Sequence, residues 1–288
     1  MYAPNFDYYR ASSVADARRL LAAHPGAKLI AGGHSLIPLL KLRLAAPSAL
    51  IDIGRIADLK QVKSDDGGVA IGALTTHAEI AASSLVRAAC PVLAEAAARI
   101  GDPAVRNRGT IGGSLAHADP GADLPTVLTA LDARVVVEGA GAARTIPVDG
   151  FFQGLMTTAL DAGDVLTAIW VPALGSGRGA AYEKFPHPAS RYAVIGAAAL
   201  IETRAGSCVR ARVAVGGLVP KPTRLRSVES ALEGKTLSAD TVAKAVAGAA
   251  NDLDGEIIGD IFASAEYRRA VVPTYVQRAV AAAVERAR

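Results

Sequence analysis

The 288-residue chain holds only two cysteines, Cys90 and Cys208, far apart in sequence. Two distant thiols make no disulfide framework, which points to a cytosolic or cytosol-facing protein. Nor can they hold an iron–sulfur cluster, which ordinarily takes four thiolates. Any such cluster in this protein's chemistry must sit on another chain. Aromatic residues make up only 5% of the chain, so each loop tyrosine or phenylalanine draws attention. No run of about 18 apolar residues marks a membrane span, and the opening MYAPNFDYYRASS lacks the charged and apolar regions of a signal peptide. The formal net charge is +4, with basic residues scattered apart from small clusters at Lys221–Arg226 and Arg268–Arg269. That distribution speaks for a solvated surface or a subunit contact rather than a nucleic-acid partner.

The five histidines are equally sparse in chemistry. His117 and Asp119 have no third ligand at a recognised metal spacing. His34-Ser35 follows a glycine turn but lacks the second glycine of a nucleophile elbow. His24 and His187 lie beside prolines in expected surface loops, and His77 follows a helix cap, where a structural role is expected.

Half of the chain is hydrophobic, and its length suits two domains with a sizeable core. Ser12–Asp16 opens a helix with an apolar face at Val14, Ala17, Leu20 and Leu21. Lys28–Ala31 reads as a short buried strand, Ser35–Leu44 as a helix, and Leu50–Ile53 as a strand. Hairpins are expected at 62–71 and 134–148, a capping box at Thr76 and Glu79, a helix over Pro91–Ile100, and a strand over Val165–Val171. The segment PALGSGRG from Pro172 to Gly179 is the best linker. It divides the chain into residues 1–175 and 176–288. Beyond it, Ala180–Phe185, Val194–Arg204 and Cys208–Val215 predict an antiparallel meander. Helices follow near Val228–Leu232, Ala239–Asn251 and Pro273–Arg286, the last with its proline in the first turn. The order predicts an α+β fold.

Two glycine loops carry the chemistry. Ile30-Ala31-Gly32-Gly33-His34-Ser35-Leu36 runs from a strand into a helix, where free backbone N–H groups suit a phosphate. Thr110-Ile111-Gly112-Gly113-Ser114 has the same small, hydroxyl-bearing character. A lone Gly-Gly pair is as well explained by a plain turn. Two such loops fit the pyrophosphate of a dinucleotide, clamped from both sides. Neither is the G-x-G-x-x-G of a Rossmann fold, and Gly234-Lys235-Thr236 lacks the first glycine of a Walker motif. Asp123, amid apolar neighbours, suits either ribose or ring hydrogen bonds or a helix N-cap.

Taken together, FDYYRASSVADA, AGGHSLIPLLKLRLAAPSALIDI, IGALTTHAEI, GDPAVRNRGTIGGSLAHADPGADLP and SAEYRRAVV resemble the FAD-binding subunit of the molybdenum hydroxylases over essentially the whole chain. This is the family of aerobic carbon monoxide dehydrogenase and xanthine dehydrogenase, and the resemblance is strongest to the carbon monoxide dehydrogenase medium subunit. It implies a two-part FAD domain of the vanillyl-alcohol-oxidase/PCMH type, then a small domain of antiparallel sheet plus helices. It also implies that Ile30–Leu36 and Thr110–Ser114 bind FAD, with Asp123 on the adenosine side and Leu166 and Lys184 as further flavin contacts. Tyr192 would stack near the isoalloxazine ring. Ser114, the shorter donor, stands where the family more often has asparagine.

The molybdopterin cofactor and two 2Fe–2S clusters are implied on large and small partner subunits, in a dimer of heterotrimers. Electrons would leave through FAD to a quinone or other acceptor, in the cytoplasm or at the inner face of the membrane. The alternatives are a xanthine, aldehyde or aromatic-acyl-CoA paralogue, a free-standing flavin oxidoreductase, and an adenine-nucleotide-binding scaffold.

Overall fold

A computed structural model describes residues 2–253 and 257–288. The first unit is β1 (Asp7–Arg10), α1 (Val14–Ala23), β2 (Lys28–Ile30), α2 (Leu36–Lys41) and β3 (Ala49–Asp52). Its three strands are parallel, in the order β1-β3-β2. Ser13 starts α1 by accepting the Asp16 N–H on its side chain, which satisfies one of the donors a helix start leaves free. Helix α2 is shorter than the sequence predicts: it stops at Lys41, and Arg43 turns to φ +60°.

The second unit contains β4 (Val62–Asp65), β5 (Gly68–Gly72), α3 (His77–Ala82), α4 (Ser84–Ala89), α5 (Pro91–Ala98), α6 (Pro103–Arg106), α7 (Ile111–His117) and α8 (Asp123–Ala130). It closes with β6 (Arg134–Glu138), β7 (Arg144–Pro147), α9 (Val148–Phe151), a small hairpin of β8 (Phe152–Gly154) with β9 (Thr157–Thr158), and β10 (Val165–Pro172). The two expected hairpins form and are joined through β10, giving the order β4-β5-β10-β6-β7. The capping box is present too: Thr76 Oγ1 accepts the Glu79 N–H, and the Glu79 carboxylate accepts the Thr76 N–H at 2.7 Å.

The third unit is β11 (Arg178–Pro186), β12 (Ala193–Arg204), β13 (Ser207–Gly216), β14 (Thr223–Arg224), α10 (Arg226–Leu232), α11 (Ala239–Val246) and α12 (Ala265–Arg286). The expected meander forms as β11-β12-β13 and gains β14 at its edge. Strand β12 is covered on both faces, which explains its small side chains. Ala198 and Leu200 point into the core shared with the second unit, where α8 packs. Ile195, Ala197, Ala199 and Ile201 point the other way, onto α12. The period-two alternation of a strand makes that division.

Two helix boundaries in this third unit also depart from expectation. Ser264, not Pro273, begins the last helix by accepting the Tyr267 N–H, and Pro273 lies inside α12. Proline there leaves the Arg269 carbonyl without its helical donor, a local cost that the buried face of α12 offsets. Helix α11 ends at Val246, and a short 3-10 turn at Ala249–Asp252 replaces its expected end. Gly234, at φ +77°, is the turn after α10, as its place in the sequence suggests.

Candidate functional site

The first glycine loop leaves the half-buried end of β2 and turns at Gly33, whose φ is +72°. No acceptor among the described residues takes a hydrogen bond from the backbone N–H of Gly32, Gly33, His34, Ser35 or Leu36. Five neighbouring donors with no internal partner form an anion-binding concavity. Such a row of donors is free to receive an anion from outside the chain.

The second loop is different. It is not a loop but the N-terminal cap and first turn of α7. Its donors are already spent: the N–H groups of Ile111 and Gly112 go to the carbonyls of Thr75 and Ala73, and those of Gly113 and Ser114 to Thr110 Oγ1 and Thr110 O. What this turn offers a ligand is a close, half-buried backbone surface at Gly113 and the Ser114 hydroxyl. Gly112 faces inward, where a Cβ would stand 2.7 Å from the Ala73 carbonyl oxygen.

The structure does bring the two segments together. A Cβ on Gly32 would stand 1.8 Å from the Arg108 carbonyl oxygen, so the backbones touch. The Arg108 guanidinium also donates to the Gly32 carbonyl at 3.4 Å. Beneath the contact lies His77, whose N–H donates to the Gly109 carbonyl and whose ring packs against Gly109. His77 Nδ1 and Thr75 Oγ1 are buried without a hydrogen-bond partner. Orphaned buried polar atoms are costly.

Burial pushes the His77 imidazole down to about 4, and the nearby His34 adds to the effect. The folded-state value lies below the ordinary 6.5. The stabilisation is therefore complete above pH 6.5 and is lost as the pH falls toward 4, because the unfolded chain binds the proton first. The expected loss from this group is about 3 kcal/mol across that window. Urea unfolding of the wild type and of His77→Gln at neutral and mildly acid pH checks it. An equal acid slope in both proteins would count against the assignment.

The sequence singles out Asp123 and Lys184 as separate ligands, and the structure pairs them. Asp123 is the first residue of α8 rather than its cap, and its carboxylate lies 2.9 Å from the Lys184 ammonium. The Tyr182 hydroxyl donates to the same carboxylate at 2.6 Å. Tyr182 and Lys184 alternate on one face of β11, and the Arg99 side chain donates to the Tyr182 carbonyl at 2.7 Å. Burial pushes the Asp123 carboxyl up and the Lys184 ammonium down, and their attraction opposes both shifts. Sequence reasoning missed Tyr182 and Arg99. The two-residue spacing of Tyr182 and Lys184 on a strand was the available signal for the first; Arg99 left none.

Leu166 sits in β10 opposite Val137, within the main core. Tyr192 stands at the surface with 46% of its area exposed, against Gly121. Partial burial, with Asp119 and Asp123 nearby, pushes its hydroxyl up to about 12.

The sequence matches the family described as FAD binding domain in molybdopterin dehydrogenase over residues 4–174. The chain belongs to that family. Residues 180–283 match a second one, the CO dehydrogenase flavoprotein C-terminal domain. The chain is 42% identical to the 6-hydroxypseudooxynicotine dehydrogenase complex subunit alpha of Paenarthrobacter nicotinovorans, covering 100% of this chain and 97% of that one. A structure of carbon monoxide dehydrogenase from Hydrogenophaga pseudoflava matches with a TM-score of 0.95 at 40% identity, over 99% of each chain. Quinoline 2-oxidoreductase from Pseudomonas putida matches with a TM-score of 0.93 at 32% identity, over 100% of this chain and 99% of that one. The chain is thus the FAD-binding component of a molybdopterin-type oxidoreductase, with the fold of the flavoprotein medium subunits. Among its described residues no helix is long and apolar enough to cross a membrane.

Proposed function

We propose that this chain carries FAD between electron-donating clusters on a partner subunit and an external acceptor, in a complex of the carbon monoxide dehydrogenase type. The observation that carries the reading is the row of five unpartnered N–H groups at Gly32–Leu36, pressed against the α7 turn in a chain without cluster ligands. The Ile30–Leu36 segment would hold the diphosphate through its donors, with Thr110–Ser114 closing over it. Asp123 would bind on the adenosine side, Leu166 and Lys184 would line the flavin, and Tyr192 would lie on its ring. FAD itself supplies the redox chemistry, and the protein supplies binding and orientation. The division into a flavin domain at 1–175 and a second domain at 176–288 belongs to the same reading.

By the same reading, a large molybdopterin subunit oxidises the substrate and a small subunit with two 2Fe–2S clusters relays the electrons. The assembly is a dimer of heterotrimers in the cytoplasm, or held at the inner face of the membrane, and the acceptor is a quinone or another external oxidant. Carbon monoxide as substrate is supported by the 0.95 TM-score to the Hydrogenophaga enzyme. The 42% identity to the 6-hydroxypseudooxynicotine dehydrogenase subunit favours a second reading, in which the substrate is an organic molecule of that kind.

Co-purified with its partners, the chain is expected to be yellow and to hold FAD. Its flavin should bleach on addition of carbon monoxide, and only when both partners are present. Bleaching by 6-hydroxypseudooxynicotine but not carbon monoxide would establish the second reading. Direct bleaching of the isolated chain by a substrate would sink the subunit role altogether.

A further inference from the structure

We propose that the cavity walled by Tyr192 is the docking site of a neutral, planar acceptor of the quinone class, oriented by the ring N–H of His187. The proposal rests on the reading of the chain as a flavin carrier with Tyr192 against the flavin ring. The cavity measures about 480 Å³ and lies between the 187–192 loop, the turn at Asp119–Gly121 and the segment running to Arg268. Small-molecule sites typically span ~300–1,000 Å³.

Charge selects the class of ligand. The ionisable side chains lining the cavity, among the described residues, are Asp119, His187, Tyr192, Asp260 and Arg268. Arg268 is fully committed: it donates to the carbonyls of Ala263, Val194 and Gly217, and to the Asp260 carboxylate at 2.5 Å. Among the described residues the Asp119 carboxylate has only the Gly121 N–H as a partner, at 2.9 Å. Among its described lining residues the cavity therefore offers an acceptor one carboxylate and no uncommitted lysine or arginine; Arg191, exposed in the same loop, is not one of them. A pyridine dinucleotide would bring two phosphate charges to that carboxylate with no cation to receive them, whereas a quinone brings no charge.

A quinone carbonyl needs a donor, and His187 has one to give. Its Nδ1 accepts the N–H groups of Ala189 and Ser190, at 3.2 and 3.3 Å. In the neutral ring the proton then resides on Nε2, which has no partner of its own in the described chain. Phe262 packs edge-on against the imidazole with ring centres 4.8 Å apart, fixing its plane. The His187 backbone N–H donates to the Tyr192 carbonyl at 2.8 Å, and Arg191 closes the loop at φ +59°. One short loop thus presents an aromatic face and a hydrogen-bond donor on the same cavity wall. The transfer would balance without a further oxidant: bound, reduced FAD would supply two electrons and two hydrogens, and the quinone would take up both and leave as the quinol.

The test uses the assembled, FAD-loaded complex and His187→Asn. The shorter side chain keeps an oxygen to accept the Ala189 and Ser190 N–H groups and loses the Nε2 donor. Menadione binding, read as a perturbation of the oxidised flavin spectrum, is expected to weaken by about tenfold or more. FAD content, melting temperature and reoxidation by ferricyanide should stay unchanged. In the wild type, menadione should reoxidise the reduced flavin and NAD⁺ should not. Wild-type reoxidation by NAD⁺ as fast as by menadione would overturn the proposal, and so would undiminished menadione binding by His187→Asn. Should the variant not fold, the wild-type comparison of menadione with NAD⁺ still decides. A complex that holds no FAD would instead overturn the underlying flavin reading, an outcome visible before any acceptor is added.

Discussion

Asp123→Ala is expected to lower folding stability by about 3–5 kcal/mol, because it leaves the Lys184 ammonium buried without its carboxylate. Both partners lie in the core shared by α8 and the β11–β12 face, with Lys184 5% and Asp123 4% exposed. The loss should also include the Tyr182 hydroxyl, which keeps no other side-chain partner. Adding Lys184→Met removes the stranded charge and should recover a large share of the stability. A neutral pair of similar volume is often no worse than a buried ion pair. Denaturant unfolding of the two single variants and the double variant gives the coupling directly. The same proteins separate two roles. If Asp123 also binds on the adenosine side of FAD, the double variant regains stability while its FAD content stays low. Regaining both would confine Asp123 to holding the fold.

Gly32→Ala should be the most damaging single methyl group in the chain for cofactor retention. The added carbon would stand 1.8 Å from the Arg108 carbonyl oxygen and 2.7 Å from the carbon beside it, and backbone has no flexible end to move aside. The first loop must then lift off the α7 side, and its row of donors loses its orientation. FAD affinity is expected to fall by at least about tenfold, or ~1.4 kcal/mol. Gly113→Ala makes a useful contrast, since its new carbon meets only the Thr110 hydroxyl at 2.7 Å. That variant should weaken a helix cap by about 1 kcal/mol and leave more of the FAD bound. Equal FAD content in Gly32→Ala and wild type, by absorbance after desalting, would refute the paired-loop site. Gly112→Val is the poorer probe: its side chain collides with the Ala73 backbone, so lost colour would report a damaged core.

The sequence makes the first loop legible because its function lies in what the backbone does not do internally, and a strand–Gly-Gly–helix step advertises that. The Thr110–Ser114 segment looks alike in composition but works differently. The difference comes from Thr75 and Ala73, which lie over 30 positions away and reach it only through the fold. Asp123 and Lys184 were each recognisable, but their pairing required knowing that α8, packed on β12 and β13, starts beside the face of β11 that carries residues 182 and 184. Helix α12 shows the opposite failure. Proline in a first turn is a sound rule, yet Ser264 and a long buried face outweighed it. The meander was legible because alternating small residues bounded by Ala205-Gly206 admit few other readings. Its edge strand β14, two residues long, left no periodicity to detect.

The packing of α8 also bears on how this protein can be taken apart or recombined. Every residue of that helix is buried, and one face of the C-terminal sheet lies against it. The linker at 173–177 is therefore a convenience of the chain's path rather than a joint. Released alone, the C-terminal half would carry Ala180, Tyr182, Ala198, Leu200 and Ala214 to its surface as an open apolar sheet face, with an unpaired lysine in its midst. Swapping this half between relatives would amount to transplanting half of a core. Hybrids should tolerate the exchange only where α8 and the facing strand residues travel together.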